Sequence, residues 1–134
     1  MSTSEKKRIR VVSGEIIRDG RYLITQRASH AVLPFLWEFP GGRVRPDESD
    51  QQALERLLEL RLGAQAEVGE KVLEVEHDYE AYGLVLAVYS CDVGHQKLQL
   101  GNIGGLAWAS PEELVNYTFP GADQETIEAL LKDD

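Results

Sequence analysis

At 134 residues, the chain is long enough for one domain with a substantial hydrophobic core. It is 43% apolar and 28% charged, as in ordinary globular proteins, and no apolar run reaches the roughly 20 residues that span a bilayer. The formal net charge of −9 argues against nucleic-acid polymers and anionic membranes as partners, but it allows a small phosphate ligand in a locally basic pocket. Because no signal-peptide pattern is present, we expect a cytoplasmic location.

The N-terminal part of the chain has the pattern of a β-hairpin that follows a polar tail. Residues 1–8 are polar and basic, and we predict a flexible tail there and a single domain over residues 9–134. Asp19 and Gly20 form a turn signal between two apolar segments, which is typical of a hairpin. Strands are predicted at residues 9–18, 21–27, 37–39, 66–76, 83–92 and 106–109.

Residues 37–64 combine an apolar strand, a Pro-Gly-Gly turn, a polar loop and a helix. Ser49 and Gln52 have the spacing of a capping box, so the helix should begin near Ser49. Gly63 stands where a left-handed C-cap is needed. The backbone N–H groups of a glycine-rich turn can donate to phosphate oxygens, so this stretch predicts a phosphate site.

The C-terminal part predicts two further helices. Ser110 is placed as the N-cap of a short helix with Pro111 in its first turn, and a final helix begins near Gln124. Cys91 lies in an apolar strand and is predicted to be a buried, inert thiol. The order of strands and helices predicts an α/β sandwich, with a mixed sheet between helices.

The central stretch resembles the Nudix box, whose pattern is G-x5-E-x7-R-E-U-x-E-E-x-G-U, where U is a bulky aliphatic residue. Five positions match the pattern, namely Gly42, Glu48, Arg56, Leu58 and Gly63. The resemblance covers nearly the whole chain and is closest to the MutT-like subgroup, of the 8-oxo-dGTP diphosphatase type. It implies a Nudix-fold α/β/α sandwich and a pyrophosphohydrolase that acts on modified nucleoside triphosphates.

The resemblance also implies which residues contact a nucleotide. Arg27 would contact the nucleotide and Asp123 the base, but a solvated cation and an N-cap of the last helix are the simpler alternatives. Trp37, Phe39 and Tyr79 lie near the expected cleft, where they either stack on a base or pack in the core. The predicted ligand site comprises Arg27, Glu38, Gly41, Gly42, Arg43, Arg61, Tyr79 and Asp123.

The family's cofactor, Mg²⁺ or Mn²⁺, is implied by the resemblance, but the family's metal-binding glutamates are replaced. Positions 57, 60 and 61 lie on one sector of a helix, since each residue turns it by about 100°. They are Leu57, Leu60 and Arg61, and Asn102 stands near a further acidic position of the family. The remaining oxygen donors, Glu38 and Glu48, are too few for a strong site of a hard divalent ion.

Each replacement has two interpretations. Leu57 and Leu60 either widen an apolar stripe beneath a loop or form an apolar wall of the ligand cleft. Arg61 either forms a surface ion pair or joins Arg43 and Arg45 as a clamp for phosphate, which arginine binds bidentately.

Three functional hypotheses follow, and they leave open whether the chain is an enzyme. The first is a MutT-like domain that binds a nucleotide or related phosphate ligand and has lost most metal-dependent hydrolysis. The second is an active enzyme that cleaves a nucleoside triphosphate to monophosphate and pyrophosphate. The third is a protein-interaction module. The oligomeric state is not specified by the sequence.

Overall fold

A computed structural model of the chain describes residues 7–31, 33–80 and 82–119. Within these ranges the chain forms eight strands and one α-helix. The strands are β1 (Lys7–Glu15), β2 (Ile17–Arg18), β3 (Arg21–Arg27), β4 (Trp37–Glu38), β5 (Gly41–Arg43), β6 (Glu67–Asp78), β7 (Tyr82–Asp92) and β8 (Ile103–Ala109). The helix, α1, spans Asp50–Leu62.

The first sheet is mixed, as predicted, and has the strand order β5-β1-β7-β6. β1 and β7 run parallel, with pairs from Lys7↔Tyr82 to Glu15↔Ser90, while β5 and β6 pair antiparallel to their neighbours. Lys7 and Arg8, which we assigned to the tail, are therefore the first residues of β1.

A second sheet forms around β3, which pairs antiparallel with β2, β4 and β8. The prediction of one continuous strand over residues 9–18 was wrong, because the chain leaves the first sheet at Ile16 and enters the second. The Ile16 side chain is buried in the core, and its carbonyl accepts a hydrogen bond of 2.9 Å from Leu23 of β3. Asp19 and Gly20, both with positive φ, form the predicted hairpin turn between β2 and β3.

Helix α1 begins and ends where the sequence predicts. Ser49 and Gln52 form both hydrogen bonds of a capping box, and Gly63 adopts the left-handed conformation, with φ 65° and ψ 22°. Five apolar side chains of α1 are buried in the main core, and each leucine among them contributes roughly 1.5–3 kcal/mol by leaving water. They are Ala53, Leu54, Leu57, Leu58 and Leu62.

After β8 the chain forms a 3₁₀ helix, Glu113–Asn116. The prediction of Ser110 as N-cap was wrong, because this short helix starts later and its N-cap is Glu112. Ser110 and Glu113 nevertheless hydrogen-bond reciprocally, side chain to backbone, at 2.9 and 3.3 Å. The predicted helix from Gln124 lies outside the described residues. None of the helices in the described ranges has the length and apolar character needed to cross a membrane.

Candidate functional site

The glycine turn of β5 and the C-terminal half of α1 lie in direct contact. A Cβ atom at Gly42 would lie 2.9 Å from Cδ2 of Leu57 and 3.1 Å from Nη2 of Arg61. Glycine at this position therefore allows the helix to approach the turn, and this approach places residues 57 and 61 beneath it. The matched glycine Gly42 and the replaced positions 57 and 61 are thus brought together in space, which fits the alignment assumed from the sequence.

Arg61 connects three segments at this contact. Its Nε donates to the carbonyl oxygen of Gly41 at 2.8 Å, and its Nη1 donates to Oδ1 of Asn102 at 3.2 Å. The loop that carries Asn102 is fixed to the end of α1, where Gly101 N–H donates to the Arg61 carbonyl at 2.9 Å. A permanent positive charge is therefore held among the oxygens of the turn and the loop.

The two leucines at the family's glutamate positions differ in environment. Leu57 is only 4% exposed and belongs to the main core beneath Gly42. Leu60 is 51% exposed and lines the cleft beside α1. Both leucines line the cleft, so Leu57 serves the core and the cleft wall together, whereas Leu60 belongs to the exposed cleft wall.

Glu48 stabilises the loop between β5 and α1. Arg56 donates to both of its oxygens, at 2.6 and 2.8 Å, and Arg45 N–H donates to Oε1 at 2.9 Å. Arg56 also donates to the Arg43 carbonyl at 3.1 Å. The hydrogen bonds from Arg56 are the main cause that lowers the pKa of Glu48 to about 2. Both oxygens of this carboxylate are thus engaged in supporting the loop.

A cleft of about 690 Å³ runs along α1, the loop after β5 and the start of β1. Among the described residues that line it, seven are cationic and Glu48 alone is acidic. The cationic residues are Lys7, Arg8, Arg10, Arg43, Arg45, Arg56 and Arg61. On a chain with a net charge of −9, this is a marked local reversal of sign, and it favours an anionic ligand.

A smaller cavity of about 150 Å³ adjoins the cleft and shares Arg61 and Asn102 with it. Arg27, which is buried, lies here with Nη1 3.4 Å from Oε1 of Glu38. His30 also lines this cavity. The structure therefore groups Arg27, Glu38 and Arg61 of the predicted ligand site around one small polar space.

Other predicted site residues lie elsewhere. Tyr79 is buried against Ile9 and stacks on Tyr82, with ring centroids 5.0 Å apart, and it lines neither of the two cavities. Trp37 contacts Tyr117 and Phe39 contacts Phe119 through their rings. Asp123 lies outside the described residues, so its base-reading role stays a prediction.

The basic residues at the start of β1 and His30 were missed from the sequence. Lys7 and Arg8 were assigned to a flexible basic tail, with a binding arm as the alternative, and Arg10 to a strand, although Ile9 between them gives the alternation of a strand. Only the antiparallel pairing of β1 with β5, at Val11↔Arg43, places these side chains beside the arginines of the next loop.

The donor atoms at this site do not fit Mg²⁺ or Mn²⁺. Such ions take carboxylate and carbonyl oxygens as ligands. The described residues contain no group of three or more His, Cys, Asp or Glu side chains able to hold a metal ion together. Leu57 and Leu60 offer no donor, and the Arg61 guanidinium repels a cation.

A family model and a named relative both match most of the chain. The model of the NUDIX domain family matches residues 12–129. The CTP pyrophosphohydrolase of Escherichia coli strain K12 is 41% identical over 127 residues, which cover 93% of each chain.

Solved structures of two relatives share the fold. The solution structure of the E. coli ORF135 protein has a TM-score of 0.70 and 38% identity, covering 95% of this chain and 91% of that one. The solution structure of MutT, a Nudix hydrolase from methicillin-resistant Staphylococcus aureus 252, has a TM-score of 0.66 and 31% identity, covering 97% and 100%.

Proposed function

The chain belongs to the Nudix hydrolase family and is MutT-like, and from that premise we propose that it binds a nucleotide or a related phosphate ligand but has lost most metal-dependent pyrophosphohydrolase activity. The observation that carries the proposal is the position of Arg61. Its guanidinium donates to Gly41 O and Asn102 Oδ1, between the turn and the helix that form the family's box.

The chemistry of a guanidinium explains why binding and hydrolysis separate here. Arginine can neutralise a phosphate and donate to two of its oxygens at once. It cannot lower the pKa of a bound water as a divalent ion does, so it does not generate the attacking hydroxide. A cleft that has Leu57, Leu60 and Arg61 in place of metal ligands therefore attracts phosphate, and its described residues supply no metal site for activating water.

An active pyrophosphohydrolase is the second candidate. It is supported by the 41% identity, over 93% of both chains, to a relative named CTP pyrophosphohydrolase. Such an enzyme would have to use an unusual set of ligands, because Glu48 is engaged with Arg56 and Arg45.

The test is a hydrolysis assay with the E. coli CTP pyrophosphohydrolase run in parallel. The purified chain is incubated with CTP, ATP and 8-oxo-dGTP plus Mg²⁺ or Mn²⁺, and released phosphate and pyrophosphate are measured. We expect release that stays below about a tenth of the relative's rate. Turnover within about tenfold of the relative, abolished by EDTA, would overturn the proposal in favour of the second candidate.

Binding is measured separately by calorimetry with the same nucleotides. We expect binding in EDTA that weakens by at least about tenfold in Arg61→Ala, a loss of about 1.4 kcal/mol. Arg21→Ala is the matched control, because Arg21 lies on β3, is exposed and contacts Glu113 outside both cavities. If none of the nucleotides binds, the proposal fails.

A further inference from the structure

We infer that the ligand of the large cleft is a metal-free chain of at least three consecutive phosphates, and that Mg²⁺ opposes its binding. The inference rests on the proposed function and deepens it by naming the ligand's charge state and minimum length.

The charge of the cleft is distributed unevenly along its walls. Arg10 is engaged by Asp50 at 2.6 Å and by Glu74 at 3.0 Å, and Arg56 is engaged by Glu48. Arg43 and Arg45 therefore supply positive charge on the side of the loop after β5, and Lys7 supplies it at the start of β1. A cleft of this sign binds the more highly charged form of a ligand more tightly.

The spacing of these cations favours an extended anion. Lys7 lies four residues along β1 from Val11, which pairs with Arg43, and four residues of a strand span about 13 Å. A single phosphate cannot contact both ends of such a wall. A chain of phosphates can follow the loop after β5 from Arg61 towards β1, with each arginine donating to successive oxygens.

The same charges decide the role of Mg²⁺. Within the described lining Glu48 is the acidic residue, and both of its oxygens already accept from Arg56. The described lining of the cleft thus offers no carboxylate that would recruit an ion together with its ligand. In solution Mg²⁺ binds polyphosphate oxygens and cancels part of their charge, so the complex is a poorer ligand for arginines than the free anion.

The experiment is calorimetry with three probes, inorganic tripolyphosphate, CTP and inorganic pyrophosphate, at constant ionic strength. In EDTA we expect tripolyphosphate and CTP to bind at least about tenfold more tightly than pyrophosphate. Excess Mg²⁺ should weaken both by at least about fivefold. Binding that Mg²⁺ strengthens or leaves unchanged would overturn the inference, as would equal affinity for pyrophosphate or no binding of any probe.

The double variant Arg43→Ala, Arg45→Ala tests whether these two side chains bind the phosphate chain. Both residues support the loop through backbone atoms, since Arg56 donates to the Arg43 carbonyl and Arg45 N–H donates to Glu48. Truncating the side chains should leave the fold intact, as judged by the thermal midpoint, and weaken tripolyphosphate binding by at least about tenfold. Unchanged affinity in this variant, with Arg21→Ala as control, would contradict the inference.

The hydrolysis assay and the calorimetry together distinguish failure of this inference from failure of the proposed function. Metal-dependent turnover of nucleotides refutes the proposed function, whatever the probes do. Absence of turnover with Mg²⁺-enhanced binding leaves the proposed function intact and refutes the inference alone. If both stand, CTP that binds much more tightly than tripolyphosphate identifies a nucleoside triphosphate as the ligand, and equal affinities identify the phosphate chain itself.

Discussion

Glu48 holds the loop between β5 and α1 through a two-point ion pair with Arg56, at 2.6 and 2.8 Å. Its pKa is lowered from 4.5 to about 2, because Arg56 stabilises the charged form. A carboxyl whose pKa is lower in the folded state stabilises the protein above its unfolded pKa. This contribution is lost as the pH falls from about 4.5 towards 2.

We therefore expect Glu48→Gln to lower the free energy of unfolding at pH 7 by roughly 1.5–3 kcal/mol, the range for hydrogen bonds to charged groups. The deficit should shrink as the pH approaches 2, since the native carboxyl is then protonated as well. Urea denaturation from pH 7 to pH 2 measures this. Glu59→Gln, at an exposed position of α1, is the control, and a deficit that stays constant with pH would contradict the explanation.

Restoring the family's acidic positions is a test of the alignment itself. The triple variant Leu57→Glu, Leu60→Glu, Arg61→Glu places three carboxylates along the part of α1 that lines the cleft, and we expect it to bind Mn²⁺ in calorimetry. It should also be less stable than the native chain, because Leu57 is buried. The control replaces the same residues by Gln. Silence towards Mn²⁺ in a folded Glu variant would mean that the helix register is wrong.

For individual residues, the sequence predicts well those site positions that a local motif encodes. The convergence of Gly42, Leu57 and Arg61 follows from the spacing of a turn and a helix. The contributions of Arg10 and His30 to the cavities depend instead on which strands and loops become neighbours. No local spacing carries that information, so these residues were found only in the structure.

Among the elements, α1 is the one whose bounds the sequence defines most directly. Ser49 Oγ accepts from Gln52 N–H at 3.1 Å, and Gln52 Oε1 accepts from Ser49 N–H at 2.9 Å. By contrast, the break at Ile16 was not predicted, because it depends on which sheet each half of the segment joins. Caps are decided within four residues of chain, whereas strand pairing is decided by partners far along it.

We expect Ser49→Ala to destabilise the protein by about 1 kcal/mol, the usual cost of losing an N-cap side chain. Nucleotide or tripolyphosphate affinity should change little, since Ser49 lies outside the lining of the cleft. Urea denaturation and calorimetry on the same preparation measure both. Gln51→Ala, two residues further along the chain at an exposed position, serves as control, and an equal loss there would show that the cap is not the cause.

Across the whole molecule, one carboxylate connects the helix to the first sheet and lies beside the basic cleft. Asp50 at the start of α1 accepts from Arg10 of β1 twice and from the Tyr89 hydroxyl of β7, each at 2.6 Å. Arg10 in turn donates to Glu74 of β6 at 3.0 Å. The hydrogen bonds from Arg10 are the main cause that lowers the pKa of Asp50.

This arrangement allows stability and ligand binding to be separated. We expect Asp50→Asn to lower the free energy of unfolding at neutral pH by roughly 1–3 kcal/mol, because a charged acceptor of three hydrogen bonds is lost. The lowered pKa means that this loss diminishes as the pH falls below the ordinary Asp range. Tripolyphosphate should bind at least as tightly as to the native chain, since a negative charge beside the cleft is removed.

Tyr89→Phe provides the matched comparison for Asp50→Asn. It removes one hydrogen bond to Asp50 without changing the charge near the cleft, so stability should fall by about 1 kcal/mol and the affinity for tripolyphosphate should stay the same. Calorimetry measures the tripolyphosphate affinity of both variants, and thermal unfolding measures their stability. If Asp50→Asn weakens tripolyphosphate binding while Tyr89→Phe does not, Asp50 acts on the ligand by orienting Arg10, and the cleft's affinity depends on geometry more than on its net charge.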